Sequence, residues 1–430
     1  MTQRTFLLAL LLGAASAALL AACGGGKSNE PTNAGFVRLV NATAGALDLY
    51  DGSSKISAAA ANAAAAYVDR EPTTHDFIVR SGSDAAPTLT VGVQRQQRYT
   101  IVAYTSGDST NTGYLTDDES APRTGAAKLR VFHTAAADAG SVDVYLLGSA
   151  CSGLAGTAAT PVASAVTGLQ SGYVQVSAAG YHLCVTSQGD KGDLRLDIPA
   201  ASFADQQIVT LILTRSAGGV LLNGLLLNQQ GALGVAPNGS ARVRLVADTA
   251  SGASVSVSVG GVSLGAPLAA AARPGAYTLV GTGTLNLSVT IDGNTTVPVL
   301  AQSAQAGGDY SLLLSGAAAT PAASLVADDN SVSTSLARPV KLRVFNGVNG
   351  ATTGASLSLD NALVGSASFG SASTPPSLVP ASAALAQLNA SVDSTDLLVG
   401  SGLTLTANQV YTVFLLGNAG APKAWLVSDR

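Results

Sequence analysis

Four segments of the chain open alike, and this self-similarity constrains the fold more than any other feature. They are Phe36-Val37-Arg38-Leu39-Val40, Lys128-Leu129-Arg130-Val131-Phe132, Arg242-Val243-Arg244-Leu245-Val246 and Lys341-Leu342-Arg343-Val344-Phe345. The shared arginines stand 92, 114 and 99 residues apart. A second alternating run follows each opening: Leu47-Asp48-Leu49-Tyr50, Val142-Asp143-Val144-Tyr145, Val255-Ser256-Val257 and Leu357-Ser358-Leu359. The segments also close alike, with an apolar run, a small-residue turn and a returning run that ends near Asp117-Asp118, Asn228, Asp328-Asp329 and Asp429. In the middle, residues 67–81 align without gaps to 173–187, pairing Tyr67 with Tyr173 and Phe77 with Leu183. Recurrence over this length means a tandem array in which each copy is one structural unit.

The alternation has period two, uses β-branched and aromatic residues, and is bounded by Gly, Pro, Asn and Asp, so the segments read as short strands. Many short strands in units of about 100 residues predict β-sandwiches. The expected fold is therefore all-β: four tandem immunoglobulin-like or transthyretin-like sandwiches over residues 36–120, 126–233, 241–330 and 340–430. The links at 121–127, 234–240 and 331–339 are rich in Pro, Gly and Ser, as linkers are. The Ala-rich stretch 58–66 is too short and uncapped for a helix, and reads as an irregular or edge segment. The recurring arginine alternates with apolar neighbours. It is expected to point away from its own core and lie exposed along the sheet, where a charged side chain blunts edge-to-edge pairing. Units of this size have a compact radius of gyration of about 13 Å. Strung as separate beads they would give about 40 Å for the whole chain, against about 22 Å for one packed body. The short, weakly charged links favour the extended arrangement.

The N-terminus has the order of an export signal: Arg4, an apolar core over residues 6–20, then Leu20-Ala21-Ala22-Cys23. Residues 1–22 read as a lipoprotein signal peptide. The Cys23 thiol is the expected lipidation site, and residues 23–35 read as a flexible tether. The apolar stretch is short for a spanning helix and is broken at once by Gly24-Gly25-Gly26. A lipoprotein cysteine carries two or three acyl chains, which anchor stably. Gly24, in place of an Asp after the lipid cysteine, favours the outer membrane, on its periplasmic or its surface-exposed face. Gly24-Gly25-Gly26-Lys27-Ser28 lacks the upstream Gly and strand of a phosphate-binding loop.

Charged residues make up 11% of the chain and the net charge is −4, without a basic run, so nothing points to nucleic acid. The expected partners are the membrane, through the lipid, and an unknown envelope or extracellular molecule. Of the three cysteines, Cys151 and Cys184 remain after lipidation. An even remainder in an exported protein predicts a disulfide.

Candidate chemistry is sparse. His75, His133 and His182 lack metal-ligand spacing, and read as surface or capping residues. Gly168-Leu169-Gln170-Ser171-Gly172 has the wrong spacing for a nucleophile elbow. Asp117-Asp118-Glu119 and Asp328-Asp329-Asn330 could hold Ca²⁺ at unit ends, but solvated strand termini explain them equally. No catalytic residue, metal or cofactor is expected.

The pattern hydrophobic-Arg-hydrophobic, then hydrophobic-Asp-hydrophobic-Tyr, resembles the tandem envelope repeats of domain of unknown function 4397. The second unit carries it best, with Arg130, His133, Asp138-Ala139, Asp143 and Tyr145. The family's mid-repeat Pro-Ala-Gly-x-Tyr turn is echoed by Ala178-Ala179-Gly180-Tyr181 and by Arg273-Pro274-Gly275-Ala276-Tyr277, and its closing Leu-x-Asp-Asp by Asp117-Asp118 and Asp328-Asp329. The Ser-Pro-Asp-Ala-Pro loop that usually follows the His is absent, and the third and fourth units lack the Asp of the second run. The resemblance implies sandwich repeats in secreted or anchored bacterial proteins and no particular activity. The expected function is a non-enzymatic cell-envelope lipoprotein acting as a structural or adhesive module. The alternative is a ligand-binding lipoprotein that takes glycan, peptide or Ca²⁺ in its loops or inter-repeat clefts.

Overall fold

The structure, a computed structural model, describes residues 31, 33–107, 109–249, 253–298, 300, 302–332 and 339–430, apart from the side chains of 383–386. Cys23 and residues 1–22, expected as a signal peptide, lie outside the described residues. No helix among the described residues is long and apolar enough to cross a membrane.

The molecule is almost entirely β, in four units of two facing sheets each. The opening runs form the strands Gly35–Ala42, Ala126–His133, Ser240–Thr249 and Val340–Asn346. Each lies parallel to its own closing strand, Arg98–Ser106, Ile208–Arg215, Asp309–Ala317 or Val410–Asn418. A parallel pair needs a long crossover, and here the crossover is the unit's second sheet. That sheet is built on Leu47–Asp51, Val142–Leu147, Ser254–Val259 or Ala355–Leu359. The return strands Ser109–Thr116, Leu222–Asn228, Thr320–Asp328 and Ala421–Ser428 pair antiparallel to the closing strands. The alanine-rich stretch divides between the edge strand Ser54–Ala59 and the two-residue strand Ala63–Ala64. Part of the link 234–240 is ordered as the strand Leu233–Ala236, paired with the second unit's return strand.

Each unit has its own core. In the first, Val37, Leu39 and Ile101 from one sheet meet Leu49, Phe77 and Val79 from the other. The same pattern recurs in the other three. In the second unit a disulfide joins Cys151, in the short 3-10 turn Cys151–Gly156, to Cys184 in the strand Gly180–Ser187, as the cysteine count predicts. It is packed against Tyr145 and Leu154.

The units are not separate beads. Every residue of the opening strand Gly35–Ala42 is buried, on both faces. The outer face of the first unit's sheet, with Val40, Val102, Tyr104 and Leu115, packs on Phe132, Ile212, Leu225 and Leu227 of the second. The rings of Tyr104 and Phe132 meet edge-on at 6.4 Å. Gly113 makes this approach possible, because a Cβ there would stand 3.0 Å from the Phe132 ring. The third and fourth units pair in the same way, through Val246 and Leu313 against Phe345, Phe414 and Leu416. Each large apolar side chain buried in these patches, of nine residues in the first pair and seven in the second, contributes about 1.5–3 kcal/mol relative to exposure, which offsets the cost of holding two sheets together.

The two pairs also touch. Ser216 Oγ and Gly218 N donate to Gly307 O, both at 2.8 Å, and Val332 N donates to Asp138 Oδ1 at 3.0 Å. Gly219, with φ of +88°, lies so close to Ser331 that a Cβ would come within 2.3 Å of its nitrogen. The extended arrangement is therefore corrected: apolar outer faces, and not linker length, decide how the units sit. Small-angle scattering from a chain beginning at Gly35 is expected to give a radius of gyration much nearer to about 22 Å than to about 40 Å. A value near the larger figure would contradict the pairing.

Candidate functional site

The recurring arginines lie at the centre of the paired faces. They point away from their own cores, as the alternation requires, but they are buried and not exposed: Arg38, Arg130, Arg244 and Arg343 are 3%, 5%, 1% and 2% accessible. The partner unit covers them. Each Nε donates to a hydroxyl on the parallel closing strand: Thr100 at 2.7 Å, Thr210 at 2.8 Å, Ser311 at 2.8 Å and Thr412 at 2.5 Å. The strand registers place those hydroxyls directly opposite the arginines.

In the second pair, two arginines share two aspartates. Asp328 accepts from Arg244 and forms an ion pair with Arg343, each at 3.2 Å. Asp429 accepts from Arg343 at 3.0 Å and from Arg244. Each arginine thus binds its own unit's carboxylate and its partner's, which makes the contact a two-way clamp. Burial pushes the Asp328 carboxyl up, but Arg343 and Arg244, with hydrogen bonds from Tyr277 and Ser311, outweigh it and hold the group below the usual carboxylate range. Burial alone would lower Arg343, yet Asp328 and Asp429 raise it. Charged hydrogen-bonded pairs of this kind remain ionised because each charge supplies what water would have given the other.

The first pair has the same plan with one acid missing. Asp117 lies between Arg38 at 3.4 Å and Arg130 at 3.8 Å, and accepts from Thr100 and from Tyr67 Oη. Backbone register identifies its counterpart in the second unit. Asp117 N donates to Arg98 O, Asp429 N to Val410 O and Gln229 N to Ile208 O, each at 2.9 Å. Gln229 thus stands where the other units have Asp. Its side chain turns to the main chain of Glu119, accepting at 3.1 Å and donating at 2.8 Å. The turn at 228–231 supplies carbonyls in its place, with Gly231 O 2.8 Å and Asn228 O 3.4 Å from the Arg38 guanidinium.

Tyr67, Tyr173 and Tyr277 stack on Arg38, Arg130 and Arg244, with the guanidinium carbon 4.5–4.7 Å from each ring centre. In the fourth unit Pro376 precedes the corresponding strand, Ser377–Val379, and no tyrosine is there. Structure corrects one motif correspondence. Tyr277 belongs with Tyr67 and Tyr173, whereas Tyr181 packs on Phe203 at 6.1 Å.

The other candidates are placed as follows. Asp117 and Asp328 are buried in the arginine contacts and are not free for a cation, whereas Asp118 beside them is exposed and accepts from Arg98 N at 2.6 Å. Asp329 accepts from Lys341 at 2.6 Å, and Glu119 from Lys128. His75 bonds to Asp51 at 2.8 Å and to Glu71 O at 2.9 Å. His133 ends a strand and is 1% exposed, where the sequence suggested a surface position. Burial lowers its pKa. Cys151, His182 and Asp197 lie together, but the Cys151 sulfur is bonded to Cys184 and offers no thiolate to a metal. Ser171 Oγ accepts from Val131 N at 2.9 Å and donates to Gly172 O at 2.9 Å, a structural use. Where residues of all four units meet, Thr43, Asn62, Arg215, Asp329, Lys341 and Leu378 line an open groove of about 710 Å³.

Two consequences can be measured by urea denaturation. Asp117→Asn leaves Arg38 and Arg130 facing each other without a carboxylate, and is expected to cost about 3–5 kcal/mol. Asp429→Asn should cost less, because it leaves two arginines with one acid, the ratio native to the first pair. The second consequence concerns Asp248, which is 1% exposed and accepts Gly417 N from the fourth unit at 2.9 Å. Burial pushes its pKa to about 7, against the pull of the Gly417 hydrogen bond and Lys423. The folded chain then holds a proton that the unfolded chain releases between about pH 4 and pH 7. Stability from this group is present at low pH, falls as pH rises through that window and is level above it. Asp248→Asn is expected to remove a slope worth on the order of 3–4 kcal/mol across the window. An unchanged pH profile would contradict the assignment.

Comparison with known proteins gives a family likeness and little else. No curated protein matches the chain. A family 26 carbohydrate-binding module from Eubacterium rectale, solved in complex with maltoheptaose, is 9% identical and covers 42% of this chain and 91% of its own, with a TM-score of 0.15. The Bacillus anthracis TIE protein is 8% identical over 91% of this chain and 68% of its own, with a TM-score of 0.13. Likenesses this weak carry no argument about function. The family described as Domain of unknown function (DUF4397) matches residues 35–145, a span that contains the whole first unit and the Arg130 strand packed against it, and the chain resembles that family.

Proposed function

We propose that the chain is a non-enzymatic lipoprotein of the cell envelope, anchored at the outer membrane through Cys23, whose paired sandwiches act as a structural or adhesive module. The observation that carries this reading is the use made of the recurring polar side chains. The arginines, hydroxyls, tyrosines and acids that repeat along the sequence are taken up in buried contacts that lock unit to unit. Such a layout suits a stiff body held at a membrane. A second reading, ligand binding between units, draws support from the groove of about 710 Å³ to which all four units contribute.

In the producing cell, Cys23→Ser is expected to abolish palmitate labelling and release the chain from the membrane fraction, since Ser cannot form the thioether. Full labelling of that variant would refute the anchor. A deletion strain should regain envelope resistance to detergent with the wild-type gene and not with the Cys23→Ser form. Failure of the wild-type gene to change resistance or surface attachment would overturn the structural role.

A further inference from the structure

At the outer end of the second arginine clamp, Arg242, Arg244, Arg273, Tyr277, Asp429 and Arg430 line a cavity of about 400 Å³. This is within the size range of small-molecule sites. Four arginines thus line it together with one acidic side chain, that of Asp429. Two of the four are matched by acids. Arg242 is held in a two-pronged pair with Asp309, at 2.7 and 2.5 Å, and Arg244 is fixed between Asp328 and Asp429.

The other two have no carboxylate bonded to them among the described residues. Arg430 donates only to main-chain carbonyls, Asn330 O at 3.2 Å and Ala137 O at 3.4 Å. The nearby Asp138 directs Oδ1 to Val332 N. Arg273 is exposed and, among the described residues, makes no hydrogen bond or ion pair. The floor beneath them is rigid, because Arg242 and Arg244 both lie 4.5 Å from the centre of the Tyr277 ring. The site therefore presents fixed positive walls, one guanidinium without a bonded partner among the described residues, Arg273, and a second, Arg430, bonded only to main-chain carbonyls.

We propose that this cavity binds an oxyanion, a carboxylate or a phosphate carried on a small molecule or chain end, with Arg273 and Arg430 as the contacting groups. The planar guanidinium fork fits two oxygens of either anion at once, where a lysine would offer only a point charge. An acidic sugar and a phosphate ester share this chemistry. The inference goes beyond the structural role and does not depend on it.

The test is calorimetric titration of the full lipidated chain in detergent micelles with inorganic phosphate, glucuronate and glucose. At least one anion is expected to bind, with glucose silent. Binding of glucuronate alone assigns a carboxylate ligand, and binding of phosphate alone a phosphate ester. Affinity should fall as salt is raised. Arg273→Ala, at an exposed position, should leave the melting temperature unchanged and weaken binding about tenfold, with Arg273→Lys intermediate. The proposal is overturned if neither anion gives heat or thermal stabilisation, if glucose binds as well as the anions, or if Arg273→Ala binds like wild type.

Discussion

A guanidinium group taken out of water must be given back its hydrogen bonds and a counter-charge, and the arrangement of the whole molecule follows from how four such groups are satisfied. Removing an ion from water costs several kcal/mol even after relaxation. Nε is satisfied within the unit, by a hydroxyl one strand away. The terminal nitrogens reach across to the partner unit and, except for Arg130, to their own unit's acid. A unit on its own would leave its arginine and its outer sheet face only partly covered. The charged contact also sets register. Apolar faces slide at little cost, whereas sliding this one by a residue would leave buried charges unpaired.

The two clamps reach the same end by different means. In the second pair, symmetric exchange of two arginines and two aspartates gives each charge two partners. In the first pair Gln229 breaks the symmetry, and the tight turn after Asn228 presents carbonyl oxygens to Arg38 instead. A carbonyl dipole satisfies hydrogen bonds without supplying a full charge, so the first pair holds one more buried positive than negative group within the clamp. The same turn leads into the extra strand Leu233–Ala236. The lost acid and the longer chain end therefore occur together in the second unit.

For function, the pairing changes what the repeats can present outward. Strung beads would display four similar copies of every surface. Back-to-back pairs hide the sheet that carries the repeating residues and display what differs between units: the disulfide-bound turn of the second, the arginine-lined cavity of the third and fourth, and the groove between pairs.

The sequence alone determined the strands, the four-fold repetition, the Cys151–Cys184 pairing and the direction in which each arginine leaves its sheet. All of these depend on local period and composition, which adjacent residues state directly. A cue to the rest was also present. The closing strands Ile208–Arg215 and Val410–Asn418 are nearly continuous apolar runs, the mark of a sheet buried on both faces, and each closing strand carries one hydroxyl at the same place. What only the tertiary structure decided is what covers that second face. Arg38 beside Val40 reads equally as an exposed edge residue or as the centre of an interface, because alternation fixes which side a residue is on and not what lies opposite. The carboxylates around these arginines are supplied from 13 residues away, Asp117 to Arg130, up to 185 residues away, Asp429 to Arg244, and the loss of one acid at Gln229 becomes legible only when backbone register shows which residues are equivalent.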